Sequence, residues 1–181
     1  MTFKPGNDIL KPDPRFATQC VIKDGVAHPL TLSDHHASLA GLTLSPSVPK
    51  PVSDAFDRAR NAFLYSYFSY ELLVVAEVQA FGAFELALKH RLHGDGAARK
   101  GTLKNLIDQA RKKHLLPALP SAPTPSPFGT VPDVFEVILH MRNALSHGTE
   151  QVHPPGMALD ALKACQQAIN LLYCDIAPKA Q

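Results

Sequence analysis

Apolar residues recur at three- and four-residue steps through the middle of the chain: Phe56, Ala59, Phe63, Tyr67, Tyr70, Val74, Val78, Phe81, Phe84 and Leu88. That spacing lines one side of a helix. No proline falls between Ala55 and Arg91, and only Gly82 interrupts a run of good helix formers. The pattern predicts one very long helix or two, bent near Gly82, capped by Ser53 or Asp54 and ended by Gly94. Thr102 is placed to cap a second segment, Leu103 to Leu116, with Leu103, Leu106, Ile107 and Ala110 as its stripe. Thr130 is placed to cap a third, running to about Ser146, with Pro132 tolerated in the first turn. A last helix, from about Met157 to Ile176, presents Leu159, Leu162, Cys165, Ala168, Ile169 and Leu172 to the core.

Proline marks the rest. Seven of the sixteen prolines lie at or before Pro51 and six between Pro117 and Pro132. The first fifty residues lack helical periodicity. Within them Arg15–Lys23 and Val26–Leu32 flank Asp24-Gly25, a dipeptide suited to a tight hairpin turn. Ser45 to Pro51 is expected to be a stiff, extended linker. The expected organisation is therefore residues 1–52 as an irregular or β-hairpin arm with its linker, and 53–177 as an all-α bundle of four to five helices. Phe63, Leu64, Tyr65, Tyr67, Phe68, Tyr70, Leu72, Leu73 and Val75 point in nearly every direction around the long helix. A helix apolar all round must be buried all round, so a homodimer is expected.

Composition changes this picture in two places. The chain has 181 residues, 45% hydrophobic and 19% charged, enough for one well-packed core. The apolar stretch Ala62 to Leu88 contains Glu71, Glu77, Gln79 and Glu85, which excludes a membrane span. Cys20, Cys165 and Cys174 form no C-x-x-C pair, so neither a disulfide framework nor a cysteine zinc site is expected. No apolar leader is evident, and a cytoplasmic location is expected. The net charge is only +2, but Lys89 to His114 holds eight basic residues against Asp95 and Asp108, a local +6 that leaves −4 elsewhere. That asymmetry points to an anionic partner.

Several chemistries are absent from the sequence. There is no phosphate-binding glycine loop, no G-x-S-x-G and no His-Glu-x-x-His. His35-His36 and the pair His90 and His93 lack an evident third ligand and are expected to be solvated, so no metal and no cofactor is assigned. Glu71, Glu85 and Lys89 share a helix face while Glu77 points away. Glu71 and Glu85 stand about 21 Å apart along the axis, too far to act on one atom. Glu85 is expected to pair with Lys89 or with an Arg on a neighbouring helix.

The informative stretch is His140-Met-Arg142-Asn143-Ala-Leu-Ser-His147-Gly148, at the close of the third segment. Arg offers a planar cationic fork that matches phosphate. His exchanges protons near neutral pH, and a helix C-terminus favours its protonated form. Asn143 adds an uncharged donor and acceptor. The plainer assignment is that Arg142 and His147 merely cap a last turn.

Arg-Asn-x-x-x-His-Gly at the end of a late helix resembles the R-[polar]-x-x-x-H motif of the HEPN superfamily of small helical domains. The long helix from Phe68 to Lys89, the short Leu-Lys-Asn-Leu-Ile segment and the final amphipathic helix are similar to the rest of such a domain. The resemblance covers about Ser53 to Ala177. It implies a metal-independent endoribonuclease, often a toxin or defence effector held by an antitoxin protein, whose dimer brings two motifs into one cleft. Arg142 would then bind the scissile phosphate, His147 would assist attack by the ribose 2′-hydroxyl, and Asn143 would orient the pair or contact the phosphate. The basic run, with Lys100, Lys104, Arg111, Lys112 and Lys113, would track the RNA backbone or be an ordinary solvated face. Some HEPN domains are instead non-catalytic dimerisation or binding modules. A third option is a helical adaptor that recruits a partner through its proline-rich loop.

Overall fold

The computed structural model describes residues 3–94, 101–119, 124–126, 129–131, 133–146 and 152–174. Among them lie six α-helices and two short antiparallel hairpins. None of these helices is long and apolar enough to cross a membrane.

The arm begins with 3₁₀ turns at Gly6–Asp8 and Pro14–Phe16. It continues into the expected hairpin, β1 (Cys20–Lys23) paired with β2 (Val26–Pro29) in the register Ile22 to Ala27 and Lys23 to Val26. Asp24 and Gly25 have φ of 51° and 77°, the left-handed pair that a two-residue turn requires. A helix that the sequence did not predict follows, α1 (Leu32–Ala40). It is short and weakly periodic, and two other things hold it. Thr31 and Asp34 form a reciprocal capping box, and His35 and Leu39 are buried against the bundle.

Helix α2 (Lys50–Tyr65) starts earlier than expected, with Pro49 as cap and Pro51 in the first turn. The long apolar run is two helices, but the break is at residues 66–71 rather than Gly82. Helix α3 (Leu72–His93) passes through Gly82 without interruption. At the break, Ser66 turns its hydroxyl back onto the Phe63 carbonyl at 2.6 Å. The backbone groups freed there are taken up by the arm. Asp13 N–H donates to the Tyr67 carbonyl, the Asp13 carboxylate accepts from Tyr70 N–H, and Lys4 donates to the Phe68 carbonyl. The arm is thus a strap across the α2–α3 elbow.

Helix α4 (Leu103–Lys112) is capped by Thr102, as expected. Thr130 was expected to cap the third segment, but that helix begins four residues later. Thr130 lies in β4 (Gly129–Val131), paired with β3 (Thr124–Ser126), and Asp133 caps α5 (Val134–Ser146) by accepting from the Phe135 and Glu136 amides. Helix α6 (Pro155–Leu172) opens on its proline pair. Helix α3 is the hub, packing most extensively against α2 and α6 and also against α4 and α5. Phe56, Phe63, Phe84, Leu88, Leu106, Ile138, Leu162 and Ile169 fill the centre. Leu39, Leu42 and Val48 join the same core, so burial does not stop at residue 53.

Candidate active site

Helix α5 buries Phe135, Ile138 and Leu145, with Phe135 stacked on Phe84 of α3 at 6.1 Å. Arg142 therefore leaves the core on the flank that faces α3, and Asn143 beside it is exposed. The Arg142 Nη2 stands 3.6 Å from Glu85 Oε2, and its Nη1 donates to Asn143 Oδ1 at 3.4 Å. Glu85 holds Lys89 more tightly, at 2.6 Å. Both partners expected for Glu85 are thus present at once. One carboxylate between two cations leaves a net positive cluster. The contacts of Arg142 are long, its side chain is 38% exposed, and a guanidinium carries five donors. Such a group can turn two donors to an anion without unfolding anything.

His147 lies outside the described residues, as does Lys100. The sequence puts His147 directly after the last residue of α5. Of the basic run, Lys104, Lys112 and Lys113 are exposed on α4 and its end. Arg111 is placed differently from a solvent-facing contact. Its side chain is 9% exposed, it bonds Asp133 at 2.6 Å and Glu136 at 3.2 Å, and its guanidinium lies 5.4 Å from the Phe135 ring centroid. It braces α4 against the start of α5, because the carboxylate that caps α5 needs a counter-ion where solvent is mostly excluded. Two ion pairs thus position α5, Arg111–Asp133 at its start and Glu85–Arg142 near its end.

The pairing of Glu77 with His153 was not read from the sequence. Glu77 faces away from the acids on the outer face of α3, which turns it into the core, where it is fully buried. Its Oε1 lies 2.8 Å from His153 Nδ1, just before α6, while its Oε2 has no hydrogen-bond partner. Burial pushes the Glu77 carboxyl up, and the His153 contact opposes that. The Cys165 thiol is also pushed up, by burial and by the nearby Glu77 charge. The signal for Glu77 was present, an acid one step off an apolar stripe, but its partner lies 76 residues away.

His35 was expected to be a solvated histidine and is instead 3% exposed. It stacks on Phe63 at 4.9 Å and its Nε2 lies 2.9 Å from the Phe63 carbonyl. Burial lowers its pKa, so the neutral ring donates from Nε2. Its neighbour His36 is exposed, as is His93. Among the described residues no three His, Cys, Asp or Glu side chains gather closely enough to hold a metal ion. No protein family, curated protein or solved structure matches this chain.

Proposed function

We propose that the chain is a metal-independent endoribonuclease of the HEPN type, in which Arg142 seats the scissile phosphate. The placement of Arg142 carries this reading. Its guanidinium stands half-exposed near the end of α5, steadied at long range by Glu85 and Asn143, with Lys89 adding positive charge to the cluster. A cation preset where negative charge develops is the main requirement of phosphoryl transfer without metal. His147, five residues further on, would accept the proton of the 2′-hydroxyl. The 2′-oxygen then bonds to phosphorus, the bond to the 5′-oxygen breaks, and that oxygen takes a proton. The products are a 2′,3′-cyclic phosphate and a 5′-hydroxyl end. In a homodimer the motifs of two copies would flank one cleft, and Lys104, Lys112 and Lys113 would meet the RNA backbone. A cytoplasmic toxin of this kind would be held by an antitoxin protein.

One observation favours a second reading. The Arg142–Glu85 pair also ties α5 to α3, which is all that a non-catalytic binding module would ask of it. The test is labelled mixed RNA with purified protein and excess chelator. Cleavage should fall by roughly 10²-fold or more in Arg142→Ala and in His147→Ala, with the helical signal unchanged. Intact RNA with the unaltered protein would leave the binding module as the better reading.

A further inference from the structure

Helices α2 and α3 enclose a shallow depression of ≈ 330 Å³. That is near the lower end of the roughly 300–1,000 Å³ range of small-ligand sites. Gly82 belongs to its lining. Glycine is costly in a helix interior, and a Cβ added here would meet nothing within 4 Å. Packing in the described chain therefore gives no reason for it. What the missing side chain provides is open space, with bare helix backbone on which a flat group can lie. Half-buried Leu86, one turn further on, supplies an apolar wall.

Two polar side chains of the lining are uncommitted. Neither the Gln79 carboxamide nor the Arg58 guanidinium has a hydrogen bond or ion pair among the described residues. Arg58 stands across the groove on α2 and is exposed. Glu85 lines the depression too, and it is the residue whose Oε2 lies 3.6 Å from Arg142. The depression is thus one side chain away from the cation of the candidate site. Glu85 is taken up by Lys89 at 2.6 Å and by Arg142, whereas Arg58 is left without a counter-ion among the described residues. An anionic ligand supplies one.

We infer that the depression holds the base of the RNA nucleotide whose phosphate sits at Arg142, that this base is adenine, and that Gln79 reads its edge while Arg58 meets the backbone phosphate beyond it. This rests on the ribonuclease reading and gives it a sequence preference. Gln79 lies six residues before Glu85, about 9 Å along α3 at 1.5 Å per residue, a distance that one nucleotide spans from phosphate to base edge. A carboxamide sets one donor and one acceptor side by side. Of the four bases only adenine presents the matching pair on its outer edge, at N6 and N7. An apolar protein segment would cover Gln79 and Arg58 without pairing either, which costs binding energy and disfavours that occupant.

The full chain is titrated with labelled 2′-fluoro RNA hexamers of the form UUXXUU, X being each base in turn, which have no 2′-hydroxyl to attack with. Fluorescence anisotropy reads the binding. The hexamer with X as adenine should bind most tightly, and Gly82→Leu should weaken it at least about tenfold by filling the depression. Gly82→Ala should fall between. Both substitutions should raise the thermal midpoint, because each replaces glycine at an open helical position. Lost affinity with gained stability is a result that a merely structural glycine would not give. Gln79→Leu should abolish the preference for adenine. Arg58→Gln should weaken all four hexamers alike and lower the salt slope by about one phosphate contact. Hexamers that bind Gly82→Leu as well as the unaltered chain, an adenine preference that survives Gln79→Leu, or no binding of any hexamer would overturn the inference. Cleavage of ordinary RNA is scored separately. Hexamer binding without cleavage would count against the nuclease reading alone, and cleavage indifferent to Gly82→Leu against this inference alone.

Discussion

Replacing His153 with Ala removes the one partner Glu77 has among the described residues and leaves a carboxyl group in the core. Breaking a buried ion pair from one side costs about 3–5 kcal/mol when the remaining charge is uncompensated. Glu77 is fully buried and already lacks a donor to one oxygen, so a loss of about 3 kcal/mol near neutral pH is expected. At roughly 2–4 °C per kcal/mol for a domain of this size, the midpoint should fall by about 6–12 °C. The pH dependence is the sharper part. Without His153 only burial acts on the carboxyl, so its folded pKa moves further above the ordinary value of 4.5. A group raised in this way favours the fold when protonated and opposes it when ionised. The deficit should therefore be smallest near pH 4.5 and grow as pH rises through the folded pKa. Thermal and urea unfolding across that range would measure it. In Glu77→Met/His153→Ala no charge remains to be buried, and most of the loss should be recovered at neutral pH. A deficit that is flat with pH, or a double variant as weak as His153→Ala, would refute the argument.

Arg111→Met leaves Asp133 and Glu136 without their cation at a nearly buried position and should cost about 2–3 kcal/mol in urea unfolding. Lys104→Ala, on the exposed side of α4, should leave stability unchanged and weaken RNA binding at low salt. Asp13, whose carboxyl the Arg15 side chain holds down at about 2, below the ordinary 3.8, stabilises the strap above that ordinary value. That contribution is lost as pH falls from 3.8 towards about 2, and hydrogen exchange at the Tyr70 amide should rise over the same interval. Asp13→Asn should already show the loss at neutral pH, as about 2 kcal/mol.

What the sequence disclosed was decided locally. The Asp24-Gly25 hairpin, the Thr102 cap and the stripe of α6 each depend on residues within a few positions of one another. The break between α2 and α3 was misplaced because its cause is distant: Asp13 and Lys4 satisfy a backbone that Gly82 had seemed better suited to interrupt. Helix α1 was missed because its two buried side chains, His35 and Leu39, are paid for by packing on α2 rather than by a repeating pattern. Thr130 and Asp133 are both good caps, and the β3–β4 pairing took the first. At the site, Arg142 and Glu85 were legible as a type of pair, an acid facing an Arg on a neighbouring helix. Arg111 was not, since a basic run looks the same from sequence whether its members face solvent or brace two helices. Glu77 and His153 could not be joined across 76 residues by any periodicity.

The strap also sets a timetable for synthesis. Its anchor points are Tyr67, Phe68, Tyr70 and Glu71, whose carboxylate accepts from Arg15 at 2.8 Å, and the Asp13 contact to Tyr70 spans 57 residues. At roughly 5–20 residues per second, Phe16 would wait on the order of 3–11 s after leaving the ribosome before its binding site exists. During that interval Phe16 has no core to enter, and Ile22 and Val26 are exposed even in the finished fold. The first part of the chain to be made thus waits for the elbow between α2 and α3, and a nascent chain stalled before α3 would present an apolar, partly β-structured segment to whatever binds such segments in the cell.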